Sequence, residues 1–151
     1  MPRLLIVHHT PSPPLQDLLE AARSGCAIPE LAEVEVCVRP ALSASVVDVL
    51  DADGYLLGTP ANFGYMSGAL KHFFDTIYYP CLEATVGRPY GLWVHGNNDT
   101  DGAVSSVERL VTGLRWRAVA HPVTSIGPTT PVTRDAVSEL AATVAATLLA
   151  G

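Results

Sequence analysis

Gly58-Thr59-Pro60-Ala61-Asn62-Phe63-Gly64-Tyr65-Met66-Ser67-Gly68-Ala69-Leu70-Lys71-His72-Phe73-Phe74-Asp75 follows directly on the apolar run Tyr55-Leu56-Leu57. An apolar run that stops at Gly-Thr-Pro, a loop of small residues carrying two aromatics, and apolar residues at helical spacing describe a buried strand, a ligand loop and a helix. Met66, Leu70, Phe73, Phe74 and Ile77 fall on one face of that helix.

Upstream, Asp51-Ala52-Asp53-Gly54 is a turn into this strand, and residues 43–50 form a short helix with a Ser cap. Val34-Glu35-Val36-Cys37-Val38 alternates, as an edge strand with one exposed face does. Leu15, Leu18, Leu19 and Ala22 make the stripe of an amphipathic helix that Ser24-Gly25 should end. Leu4-Leu5-Ile6-Val7 is a continuous apolar run, the pattern of a strand covered on both faces, with His8 and His9 at its carboxyl end.

Downstream, Tyr90-Gly91-Leu92-Trp93-Val94 is a fourth strand, and residues 95–102 are a loop dense in turn residues. Val104, Val107, Leu110, Val111 and Leu114 form the next helical stripe. A last short strand at 123–126 and a helix over 134–149, with Val137, Leu140, Val144 and Leu148 inward, complete five strand-helix units. Strands alternating with helices specify an α/β fold with a parallel sheet and right-handed crossovers. In such folds ligands bind outside the carboxyl ends of the strands where strand order reverses, so the loops after strands one, three and four are the ones to examine.

Composition narrows the class. A chain of 151 residues, 48% hydrophobic, suits a single domain over 1–151 with a full core. Nine Lys and Arg against fifteen Asp and Glu leave a formal charge of −6, without the basic stripe that nucleic acid requires. Cys26, Cys37 and Cys81 are odd in number and never spaced C-x-x-C, which argues against a disulfide framework or zinc site and for free thiols in a reducing compartment. The start of the chain is too short in apolar residues for a signal peptide, and the Ala-rich end carries Ser138, Glu139 and threonines over fewer residues than a membrane span needs. A cytoplasmic protein that touches no membrane is expected. No metal is expected either, since neither His8-His9 nor Asp99 and Asp101 have companion ligands, and no nucleophile elbow or phosphate-loop lysine is present.

Residues 52–75 carry a resemblance. Ala52-Asp53-Gly54-Tyr55-Leu56-Leu57-Gly58-Thr59-Pro60, Phe63-Gly64-Tyr65-Met66-Ser67, Leu70-Lys71 and Phe74 resemble the flavodoxin-like FMN proteins. Within these, the resemblance is to the NADPH-dependent FMN reductases and the quinone reductases related to tryptophan-repressor-binding protein. The rest of the chain matches in element order and length. The resemblance implies a doubly wound five-stranded parallel sheet of order 2-1-3-4-5, helices on both faces, and an FMN site built by three loops. Thr59, Pro60, Ala61, Asn62, Phe63, Gly64, Tyr65 and Met66 would wall the flavin ring. Small residues there let backbone groups approach its edge, while Phe63 and Tyr65 either contact the ring or pack on the core or a neighbouring subunit.

In the family the loop after strand one holds the phosphate, with two hydroxyl residues followed by Gly-Asn-Thr or a similar polar trio. His9, Thr10, Ser12, Leu15 and Gln16 are the matching positions. Thr10 and Ser12 supply the hydroxyls, but Pro13-Pro14-Leu15 replaces the trio. With Pro11, these prolines remove three N–H donors. Proline also suits a helix's first turn and rigidifies the loop. FMN is thus expected to be held weakly, held differently, or lost.

The loop with His95, Gly96, Asn97, Asn98 and Gly102 should cover the ring's other edge. The amides of Asn97 and Asn98 would face ring carbonyls, and Asp99 and Asp101 would oppose negative charge. No catalytic side chain is expected beyond the flavin itself. His95 is the one candidate donor, to flavin or quinone oxygen, and a strand-end His serves more often as a structural hydrogen-bonder; His9 shares that ambiguity. The expected function is an FMN-dependent oxidoreductase moving electrons from NAD(P)H to a quinone or similar small acceptor, as an oligomer if the quinone-reductase analogy holds. The alternatives are a flavodoxin-type electron carrier and a non-catalytic flavodoxin-like module that has lost FMN.

Overall fold

Leu4, Leu5, Ile6 and Val7 have no exposed surface, because their strand β1 (Arg3–His8) lies at the centre of a sheet covered on both faces. The computed structural model describes residues 1–150. β1 pairs in parallel with β2 (Glu35–Pro40) on one side and β3 (Gly54–Asn62) on the other, and β3 pairs in parallel with β5 (Pro89–Gly96). The two short strands β6 (Arg117–Ala118) and β7 (Val123–Ile126) both pair in parallel with β5 along its far edge. Between them lies Pro122, which has no N–H to give a ladder. The five sheet positions therefore run 2-1-3-4-5 in chain order, with the fifth filled by two pieces.

Strand alternation divides the core. Leu4, Ile6, Leu56 and Trp93 point to one side, where α1 (Pro13–Cys26) and α5 (Pro131–Ala150) cover them; Leu5, Val7, Tyr55 and Leu57 point to the other, under α2 (Val46–Asp51), α3 (Gly68–Cys81) and α4 (Asp101–Leu114). Leu70, Phe73, Phe74 and Ile77 of α3 are buried as the helical stripe requires. Arg88 donates from Nη1 to the carbonyls of Val49, Leu50 and Ala52, closing the end of α2.

Several boundaries differ from the expected ones, each for a local reason. Gly25 does not end α1, which continues to Cys26; a Cβ there would lie 2.1 Å from the carbonyl oxygen of Ser138, so this glycine lets α1 and α5 touch backbone to backbone. α2 begins after Ser45 rather than at Ser43, since Ser45 and Asp48 form a reciprocal capping box. The strand expected over 55–57 continues to Asn62 because a two-residue turn at Phe63-Gly64 folds the chain back into β4 (Tyr65–Met66), paired antiparallel with β3. Asp101 and Gly102 belong to α4, not to the preceding loop. α5 begins at Pro131, after Thr130, whose hydroxyl accepts from the Thr133 N–H. Among the described residues, no helix is long and apolar enough to cross a membrane.

Candidate functional site

At the carboxyl ends of β1, β3 and β5 three loops meet around a cleft of about 270 Å3. Pro11, Ser12, Pro14 and Leu15 line it from the first loop, Pro60, Ala61 and Asn62 from the second, and His95, Gly96 and Asn97 from the third. No Lys, Arg, Asp or Glu is among them. The position is the one where strand order reverses about β1 and β3.

The first loop is poor in donors. Ser12 precedes α1 in extended conformation without a side-chain cap bond, and Pro13 and Pro14 occupy the first two helical positions. The Gln16 N–H returns to the Ser12 carbonyl, and the His9 N–H goes to the Gly58 carbonyl. Among the described residues, the N–H groups of Thr10, Ser12 and Leu15 have no acceptor within the chain. Thr10 Oγ1 lies 2.8 Å from His8 Nδ1, which occupies one of the two hydroxyls expected to face a ligand. Burial holds the His8 pKa below its ordinary value, assisted by repulsion from His9 and Arg23. His9 keeps a buried Nδ1 with no hydrogen-bond partner.

The second loop is a hairpin. Phe63 and Gly64 have φ of 52° and 72°, a turn with both central residues left-handed, which matches the twist of paired strands. The Phe63 side chain stands wholly in solvent at the tip and Tyr65 is largely exposed; neither lines the cleft. Thr59 is fully buried, its hydroxyl donating to the Pro60 carbonyl and accepting from the Ser67 N–H. Ser67 in turn caps α3 by accepting from Leu70 N–H. Met66 is buried, with its N–H bonded to Ser106 Oγ. Of the eight residues expected to wall a ring, Pro60, Ala61 and Asn62 line the cleft, while Thr59 and Met66 secure the hairpin beneath it.

The third loop brings His95, Gly96 and Asn97 to the cleft; Asn98 is exposed beyond it. His95 donates from Nε2 to the Gly127 carbonyl at 2.7 Å, the structural of its two expected roles. Asp99 Oδ1 accepts from the Asp101 N–H and so turns the chain into α4. Gly102 is a contact, since a Cβ on it would lie 2.0 Å from the Gly64 carbonyl oxygen. The hairpin therefore leans on the start of α4.

A fourth loop, residues 127–130, escaped sequence reading. Besides the Gly127 carbonyl held by His95, Thr129 donates to Asp17 Oδ2 at 2.7 Å, pinning this loop to α1. The Gly-Pro and Thr-Thr pairs between the last strand and helix were its only sequence signal, and an ordinary connection carries the same signal.

The cleft fits the apolar part of a flavin better than its phosphate. Pro60 and Ala61 offer a small, flat wall, while Gly96 is required by the third loop itself, since a Cβ on it would lie 2.6 Å from the Asp99 carbonyl oxygen. The phosphate end has neither a cation nor the donors lost to proline.

A family model described as NADPH-dependent FMN reductase matches residues 15–130. The fold is similar to that of a flavodoxin from the domain Archaea, at 15% identity and a TM-score of 0.80 over 97% of this chain and 99% of that one. It is also similar to a WrbA-like flavodoxin from Agrobacterium tumefaciens, at 15% identity and a TM-score of 0.78 over 99% of each chain. A flavodoxin from Streptococcus pneumoniae TIGR4 superposes at 14% identity and a TM-score of 0.78 over 96% of this chain and 99% of that one. At these identities the likeness shows the fold. No curated protein matches the sequence.

Proposed function

The chain belongs to the NADPH-dependent FMN reductase family, and on that premise we propose that it is a flavin-dependent oxidoreductase passing electrons from NAD(P)H to a quinone or similar small acceptor. The observation that carries the reading is the meeting of three loops in one uncharged cleft at the sheet's reversal point. Pro60 and Ala61 would wall the flavin ring, Asn97 would offer its amide to the ring edge, and Ser12 with Leu15 would face the side chain. A bound flavin supplies the redox chemistry; the residues of this chain bind it, orient it and exclude water from one face. With its Nε2–H committed to Gly127, His95 positions the fourth loop.

The test is to add FMN to purified protein, remove free flavin, and follow NADH and NADPH consumption with and without a quinone. Retained yellow colour with quinone-dependent nicotinamide oxidation is expected. Bound flavin without nicotinamide oxidation would make it an electron carrier, and no flavin binding would make it a cofactor-free module.

A further inference from the structure

Flavins reach a protein with or without a terminal phosphate, and the first loop bears on which form this cleft prefers. Tight recognition of a phosphate draws on free N–H groups at a helix start and on neighbouring cations. Here α1 starts with Pro13 and Pro14, so its first two positions offer none. The N–H of Leu15 is free, as are those of Thr10 and Ser12 ahead of the helix, but the following one on α1, that of Gln16, is spent on the Ser12 carbonyl. Pro11 removes a further donor ahead of the helix.

No cation replaces them. The lining of the cleft has no Lys or Arg, and none occurs in residues 9–16, 59–67, 95–102 or 127–131. Burial lowers the pKa of His8, at the base of the loop, with His9 and Arg23 adding to the shift, and its Nδ1 faces Thr10 Oγ1. Asp17, in the first turns of α1, receives the Thr129 hydroxyl and would repel an anion. The ring end of the cleft, by contrast, has a small apolar wall in Pro60 and Ala61 and the amides of Asn62 and Asn97.

We infer that the cleft recognises flavin by its ring and is nearly indifferent to the phosphate, so that riboflavin and FMN are equivalent ligands. This rests on the flavin reading above. Because charge-assisted bonds to a phosphate each contribute about tenfold in affinity, a site built for phosphate would favour FMN by roughly a hundredfold or more.

The experiment is to titrate the full chain with riboflavin, FMN and lumiflavin, following quenching of flavin fluorescence, at low and high salt. Dissociation constants for riboflavin and FMN within about tenfold of one another, with FMN binding insensitive to salt, are expected. FMN binding more than about tenfold tighter than riboflavin, or weakening steeply with salt, would overturn the inference while leaving the flavin reading intact. Failure of all three flavins to bind at about 1 mM would overturn the flavin reading itself. As a second measure, replacing Pro13-Pro14 by Gly-Asn returns two donors and should raise FMN affinity about a hundredfold with riboflavin unchanged. An unchanged FMN-to-riboflavin ratio in a variant that folds as the parent does would show that the prolines are not what sets it and would also overturn the inference.

Discussion

Phe63 holds a left-handed backbone, φ 52°, while its side chain gains nothing from burial. An L-residue other than Gly, Asn or Asp has a cost of about 1–2 kcal/mol in that region, and here no packing offsets it. Phe63→Asn should therefore stabilise the protein by about 1 kcal/mol, or roughly 2–4 °C in thermal unfolding followed by circular dichroism. Flavin affinity should not change, because the ring lies outside the cleft. His8 carries the opposite kind of cost. Its folded-state pKa lies below the ordinary 6.5, so the unfolded chain binds a proton more readily than the native one. His8 therefore costs nothing above 6.5, where both states are neutral, and stability is lost as pH falls from 6.5 toward the lower folded-state value. His8→Gln should remove part of the loss in melting temperature between neutral pH and about pH 5; an equal loss in parent and variant would assign it to other groups.

Between elements, close backbone approach decides more than propensity. Gly25→Ala favours helix by about 1 kcal/mol, but its methyl would meet the Ser138 backbone at 2.1 Å. Moving α1 from α5 to relieve that contact costs about 1–3 kcal/mol, so the net change should be destabilising in chemical denaturation. This glycine also shows where sequence reading stopped. Beside Ser24 it carried the local signal of a helix end, and only the tertiary partner, 113 positions away, reveals its use. The same holds at Gly58, where a Cβ would lie 2.2 Å from the Trp93 indole. Strand order and helical stripes were legible because Leu4 to Val7 or Leu70 to Ile77 write their burial in local periodicity. The Phe63-Gly64 hairpin was not, since Gly-rich loops and tight turns share residue types and Phe is a rare occupant of such a turn. In the site, the cleft's Pro60, Ala61 and Asn62 were legible from the strand end, whereas the burial of Thr59 depends on Ser67 donating to it across the hairpin. The Thr129 to Asp17 bond joins residues too distant in sequence for any local pattern.

At the scale of the molecule, two clefts compete, and the larger is at the wrong end. A space of about 510 Å3 lies at the amino ends of the strands, lined by Met1, Asp53, Arg88 and Arg117 among others. Its polar groups are largely committed. Arg88 is bonded to three carbonyls of the α2 end and Asp53 accepts from the Arg3 N–H. Helix polarity favours the opposite end. Strands and helices alternate in direction in a parallel α/β sheet, so the starts of α1, α3, α4 and α5 gather at the carboxyl ends of the strands, and their dipoles direct partial positive charge there. Topology thus directs a ligand to the smaller cleft even though its prolines have taken away the local donors. The two ends can be separated by substitution. Ala61→Tyr places a ring within the 270 Å3 cleft and should reduce flavin affinity by at least about tenfold, while Arg117→Ala in the larger cleft should leave it unchanged. Ala61 is partly exposed near the end of β3, so both variants should retain the parent's far-UV circular dichroism. The reverse result, flavin lost with Arg117→Ala and kept with Ala61→Tyr, would move the ligand to the opposite edge of the sheet.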